Sequence, residues 1–255
     1  MPTFSDFPPS LWIAVVAITI LAGFVKGAVG FAMPMVMVSG LGSLMRPELA
    51  LAALMIPTLV ANLAQAFRNG ASAAWDATRE HWVYIAIVAV FILCSAQLVK
   101  VLPAHVLYLA IGIPVTLFAL YQLSGRQITL GDRHRTLVSA ALGTVAGLIG
   151  GVSGVWGPPT VIYLTSLDTP KVEQMRVQGI VYGFGSVVLT SAHWGSGVLN
   201  ANTAPVSALL VIPALIGMAI GMRVSDRMDQ KRFRQATLAV LVIAGLNLIR
   251  RGVFG

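Results

Sequence analysis

The sequence predicts an all-α polytopic membrane protein. It is read as two pseudo-symmetric four-segment halves, inverted repeats of one another, each opening with a broken or re-entrant glycine-rich helix. Composition, an internal repeat and the placement of basic residues carry this prediction. Of the 255 residues, 57% are hydrophobic and 10% charged, against about 25% charged in a soluble domain, and mean hydropathy is +0.84. No single aqueous core hides that much apolar surface, so the bilayer is the solvent. The apolar runs are continuous rather than alternating, which excludes a β-barrel.

Apolar segments run over 11–44, 49–67, 81–99, 104–123, 137–167, 175–194, 204–222 and 235–249; about 20 residues are needed to span a hydrocarbon core. The polar stretch SGRQITLGDRHR, 124–135, is the linker between a first transmembrane repeat, 1–123, and a second, 136–255. Segment one would run about 51 Å as a straight helix, far too long for the bilayer. It is expected to break into arms, Leu11–Val25 of about 22 Å and Pro34–Leu44 of about 16 Å, neither of which spans alone. Between the arms lies GFVKGAVGFAMP, 23–34, and segment five carries GLIGGVSGVWGPP, 147–159. A shift of 124 residues lays Ala22, Gly23, Gly27, Gly30 and Pro34 on Ala146, Gly147, Gly151, Gly154 and Pro158. The same shift lays segments three and four on seven and eight. Such duplication is the architecture of secondary transporters.

The basic residues choose between topologies. If segments one and five cross fully, loop Lys and Arg divide almost evenly between the two sides. If each enters and returns on one side, Arg68, Arg79, Arg126, Arg133, Arg135, Lys171, Arg176, Arg223, Arg227, Lys231, Arg232 and Arg234 share a face. Arg46, Lys100, Arg250 and Arg251 take the other. The second arrangement has the positive-inside bias of membrane proteins. Its odd number of crossings per half inverts the second half relative to the first.

A chain that reverses inside a membrane must hide its unpaired backbone in protein or in a wet cavity. Glycine permits the turn, and proline suits the first turn of the returning helix. Gly27–Gly30 and Gly151–Gly154 are therefore expected at two tips, with Pro34 and Pro158 opening the returning arms. Each returning helix would aim free N–H groups and a positive dipole end at the membrane centre, a setting that favours a small anion. Lys26 would add a full charge there. Its bland alternative is a lysine snorkelling to the interface, but intramembrane charges are functional by default.

The expected substrate-binding set is Lys26, Gly27, Gly30, Asn62, Gln65, Gly151, Ser153, Gly154, Trp156, Thr160 and Gln178. Asn62 and Gln65 share a helix face and either line the cavity or join two helices. Ser186 accompanies Gln178 on segment six; His193 and Trp194 end that segment, Trp194 as an interface anchor. Cys94 has no disulfide or metal partner in the sequence and reads as a packing residue. No metal, cofactor or catalytic residue is expected. The net charge of +8 belongs to orientation rather than to a nucleic-acid partner. The opening MPTFSDFPPS lacks the basic region of a signal peptide, so Leu11 onward is expected to stay in the membrane. Partners are the lipid bilayer and a small anionic substrate, with room for a homo-oligomer.

The paired AGFVKGAVGFAMP and AGLIGGVSGVWGPP, each opening a four-segment half, resemble the TauE/SafE sulfite exporter family over roughly residues 11–250. The resemblance implies a multi-pass permease of the bacterial or archaeal inner membrane that moves sulfite or a small organosulfonate, in or out. Two rivals remain open from the residues: a channel or permease for another small solute, and an intramembrane serine protease. The second would use Ser153 of GVSG with His193 as base. The duplicate tip, Gly27-Ala28-Val29-Gly30, lacks a serine, so the repeat alone explains those glycines.

Overall fold

The computed structural model describes residues 8–95, 104–125, 135–153, 156–195 and 197–254. Every regular element among them is a helix: α1 Pro9–Val29, α2 Met33–Leu41, α3 Pro47–Ala66, α4 Ala71–Glu80, α5 Trp82–Ser95, α6 Ala104–Leu123, α7 Arg135–Ser153, α8 Gly157–Ser166, α9 Lys171–Gly195, α10 Ala204–Leu209, α11 Val211–Arg227 and α12 Gln230–Phe254. Among the described residues four stretches are long and apolar enough to cross a membrane, Pro9–Val29, Leu49–Ala66, Ala204–Arg227 and Gln230–Phe254. Large apolar side chains stand on the outer surface, among them Ile13, Leu93, Ile212 and Ile243. That surface would be a liability in water and is ordinary against lipid.

The helices pair. Along α1 and α11, Gly23 meets Ala214 and Met218 while Gly27 meets Met218 and Met222, so the two run in one direction. The same holds for α5 and α7, where Gly143 meets Tyr84 and Ile87 and Gly147 meets Val88 and Phe91. Antiparallel pairs complete the bundle. Gln65 of α3 bonds Met175 of α9 and Asn62 bonds Ser186, and Gly112 of α6 meets Gly245 and Ile249 of α12. Ion pairs Arg68–Asp226, Arg135–Glu80 and Arg234–Asp168 gather at one face of the bundle. Arg251 reaches Ser39 at the other.

The structure moves the expected break in segment one. Helix α1 continues through Gly27 to Val29, 21 residues or about 31 Å, so this arm is long enough to span where a shorter one was expected. The turn lies at Gly30–Ala32, and α2 runs back along α1, with Gly40 against Ile18. Gly27 is therefore not at the tip. Its Cα face abuts the α11 backbone, as small residues do where membrane helices approach closely. Likewise Gly151 and Ser153 fall in the last turn of α7. Gly154 lies outside the described residues, as do Lys100, Arg126 and Arg133. Cys94 faces outward rather than into the packing. The sequence missed α4, an amphipathic helix with Ala74 and Ala77 buried and Trp75 exposed, bent 85° from α5. A helix of this pattern suits the membrane interface.

Pro57 sits inside α3. It has no N–H, so the Ala53 carbonyl loses its helical donor. Ser207 of α10 replaces it: its Oγ donates to Ala53 O at 3.2 Å and accepts the Ile56 N–H at 3.1 Å. Ser207→Ala strands the buried Ala53 carbonyl, a loss of about 1–3 kcal/mol. A fall in thermal midpoint in detergent, with helix content unchanged at low temperature, is the expected reading.

Candidate functional site

Two chain reversals meet between the helix pairs. In the first, the Gly30 N–H closes α1 on Lys26 O at 2.7 Å. Gly30 has φ 90° and Ala32 φ 72°, so the chain turns through left-handed backbone, which glycine takes freely and alanine only under strain. Helix α2 then starts with Pro34 in its first turn and no side-chain cap. In the second, Trp156 precedes α8, whose first turn holds Pro158 and Pro159 and is also uncapped by a side chain. The turns touch where the Phe31 ring lies against Gly157.

A small cavity of about 20 Å³, room for about one water-sized group, lies at their junction, lined by Lys26, Phe31, Ala32, Pro34, Met35, Asn62, Trp156, Gly157 and Tyr182. Both returning helices thus present their N-terminal ends to it, the arrangement that favours an anion. Lys26 is 1% exposed. Its Nζ lies 3.4 Å from Gly30 O and 5.6 Å from the centroid of the Tyr182 ring. Among the described residues no carboxylate forms an ion pair with it. The α1 carbonyl end and the ring face soften the charge without neutralising it. Snorkelling is ruled out by burial; capping the end of α1 remains part of what this lysine does.

The expected residues separate on this geometry. Lys26, Asn62 and Trp156 line the cavity. Asn62 also joins helices, its Nδ2 donating to Tyr182 O at 3.1 Å and Ser186 Oγ at 2.7 Å. Gln65 stands outside the lining and ties three elements, its Nε2 donating to Gly30 O at 3.2 Å and Met175 O at 2.6 Å. Gln178 is fully buried against Gly30, and neither polar atom of its amide has a partner. Gly30 shapes the turn beside the cavity. Thr160 belongs to a separate network: Tyr84 donates to its Oγ1 at 2.9 Å, and it donates to Trp156 O at 2.8 Å. Tyr84 stacks on Tyr163 at 3.9 Å, and Tyr163 bonds the His81 ring.

Tyr182, Phe31, Ala32, Met35 and Gly157 were not anticipated, and Pro34 was expected only as the start of the returning arm. Tyr182 had a signal, a lone tyrosine in the glycine-rich middle of segment six. Trp156 had another. The 124-residue shift places Gly150 at the position of Lys26 and Trp156 at that of Ala32. The indole fills the room left beside Gly150 and Gly185, so the two tips exchange their large and small side chains.

Away from the cavity, Glu80, His81 and Glu173 bring ligand-type atoms within 4.8 Å of one another. Arg135 already supplies positive charge there, 3.0 Å from Glu80, and the His81 ring is engaged by Glu173 and Tyr163. The network locks α4, α5, α7, α8 and α9 together at one face.

No curated protein and no solved structure matches the chain. A sequence profile of the family described as sulfite exporter TauE/SafE does match, over residues 15–248, and by that match, spanning both reversals and all but the outermost turns, the chain belongs to this family.

Proposed function

We propose that this protein is a secondary transporter that carries a small sulfur oxyanion, sulfite or a small organosulfonate, across the bacterial inner membrane by alternating access, with the Lys26 cavity as its binding site. Its family is one of membrane transporters, and its helices make it a multi-pass membrane protein. The observation that carries the substrate class is a buried lysine with no carboxylate partner among the described residues, facing a cavity onto which two helix N-termini open. Asn62 and Trp156 complete the wall, the Asn62 amide N–H groups being held by Tyr182 O and Ser186 Oγ. A compact oxyanion suits such a set better than a cation or a neutral solute.

Inverted halves fit the pairing. A shift of 124 residues exchanges the α1–α11 pair for α7–α5 and carries α3–α9 and α6–α12 onto themselves. Asn62 and Ser186, 124 residues apart, bond each other, as residues beside a pseudo-two-fold axis would. In this reading the face bearing Arg68, Arg135 and Arg234 is cytoplasmic. In a background lacking Cys94, an impermeant maleimide added to whole cells should label Arg46→Cys and spare Lys231→Cys; the reverse pattern would overturn the orientation.

The function is tested by uptake and counterflow in proteoliposomes with sulfite, sulfate, thiosulfate, sulfoacetate, taurine and acetate. Saturable flux of a sulfur anion, accelerated by the same anion on the far side, is the expected result. Flux that never saturates would mark a channel, and selectivity for acetate alone would refute the substrate class.

A further inference from the structure

Lys26 brings a protonatable amine into a cavity wall that, among the described residues, holds no negative group to balance its charge. Among the described residues the wall around it is neutral: Asn62 on α3, Tyr182 on α9, Trp156 ahead of α8, and Pro34 and Met35 on α2, with Gln65 and Gln178 beside Gly30. Tyr182 is the titratable member, and its hydroxyl donates to Gly157 O at 3.2 Å. On α12, Asn247 and Arg251 are directed to Ser39, toward the far end of α2. The His81–Glu173 pair faces Tyr163.

An ammonium taken out of water with no counter-charge is strongly disfavoured, and so is a lone anion; a hydrogen-bonded pair of the two is tolerated. Occupancy of the cavity by an anion and protonation of the amine therefore reinforce one another, and such linkage is reciprocal. We propose that Lys26 is the proton carrier of anion–proton cotransport, a coupling that rests on the transport reading above. On the side of entry, the amine takes a proton from water as the anion X⁻ arrives, R–NH₂ + H⁺ + X⁻ → R–NH₃⁺·X⁻. On the side of release, the N–H bond breaks and both ions leave. A monoanion then crosses with one proton and without net charge, and a proton gradient can drive it uphill.

The test uses purified protein in proteoliposomes with a luminal pH dye, with labelled anion flux followed in parallel. The probes are methanesulfonate, whose charge is fixed near neutral pH, and sulfite. With the wild type, inward flux of either should acidify the lumen in step with the anion carried. Lys26→Arg keeps the charge, but a guanidinium does not release its proton. It should still exchange labelled for unlabelled anion yet cease to acidify the lumen, and its net flux should become sensitive to membrane potential. Sulfite could also bring a proton as bisulfite. Acidification that survives Lys26→Arg would place the proton on the anion and overturn the proposal. Wild-type methanesulfonate flux without acidification would overturn it too, and that arm decides the matter if the arginine variant fails to fold. Anion exchange without proton movement defeats the coupling alone; no exchange of any anion defeats the transport reading and the coupling together.

Discussion

Lys26→Gln should lower the affinity for the transported anion by about a hundredfold or more, the largest loss expected of any single substitution in the cavity. Two unit charges about 4 Å apart interact by about 4 kcal/mol at the effective dielectric of a protein interior, and each 1.4 kcal/mol is about a tenfold change in binding. The glutamine removes the charge, and the Gly30 carbonyl that Lys26 now bonds keeps its donor from Gln65. Stability should hold or rise, because a buried amine that can be charged there only at a desolvation cost is replaced by a neutral amide. Binding titration and a thermal melt on the same preparation separate the two roles. Intact melting with anion binding lost assigns the lysine to the substrate. Unchanged binding with a lowered midpoint would reduce Lys26 to a helix cap and remove the basis for an anion site.

Much of this architecture was legible because the membrane writes it in coarse letters. Continuous apolar runs marked the helices, and the 124-residue shift found both reversals, since glycine and proline punctuate a chain whatever surrounds them. The cavity was legible in outline through Lys26, Asn62 and Trp156. Side-chain direction was not. Nothing local separates Gln65, which ties α1, α3 and α9, from Asn62, one turn away and on the cavity wall. Thr160 looked like a tip residue and instead bonds Tyr84 across to α5. Tyr182 could be placed only by knowing which face of α9 meets the turns. Helix α4 escaped because its apolar face is too narrow to read as a span. The repeat held one more clue than was drawn from it: Asn62 and Ser186 are separated by the repeat length itself, and they bond each other.

The largest expected effect on stability comes from Gly27, and it also separates two uses of glycine. In the sequence, Gly27 and Gly30 look alike, two glycines of one bend. In the structure, Gly30 has φ 90°, whereas Gly27 lies within α1, where a Cβ would run into the Met218 carbonyl and stand 2.8 Å from Met222 N. Gly217 and Gly221 repeat the contact from the α11 side, against the Ile20 and Phe24 backbone. Backbone atoms cannot turn aside as a side chain can, so a larger residue must push the two helices apart. Overpacking typically destabilises by about 1–3 kcal/mol, and helices in lipid have van der Waals packing rather than a hydrophobic drive to hold them together. Gly27→Leu is therefore expected to lower the thermal midpoint in detergent by roughly 5–10 °C, at about 2–4 °C per kcal/mol for a chain of this size. Gly27→Ala should give a smaller fall in the same direction. Leu21→Ala, on a lipid-facing position 54% exposed, should change it little. Transport should fall in proportion to the folded fraction and no further, because Gly27 does not line the cavity. A Gly27→Ala protein that melts like the wild type yet fails to carry anion would return Gly27 to the substrate site and undo the assignment of α1–α11 as a close-packed, fixed pair.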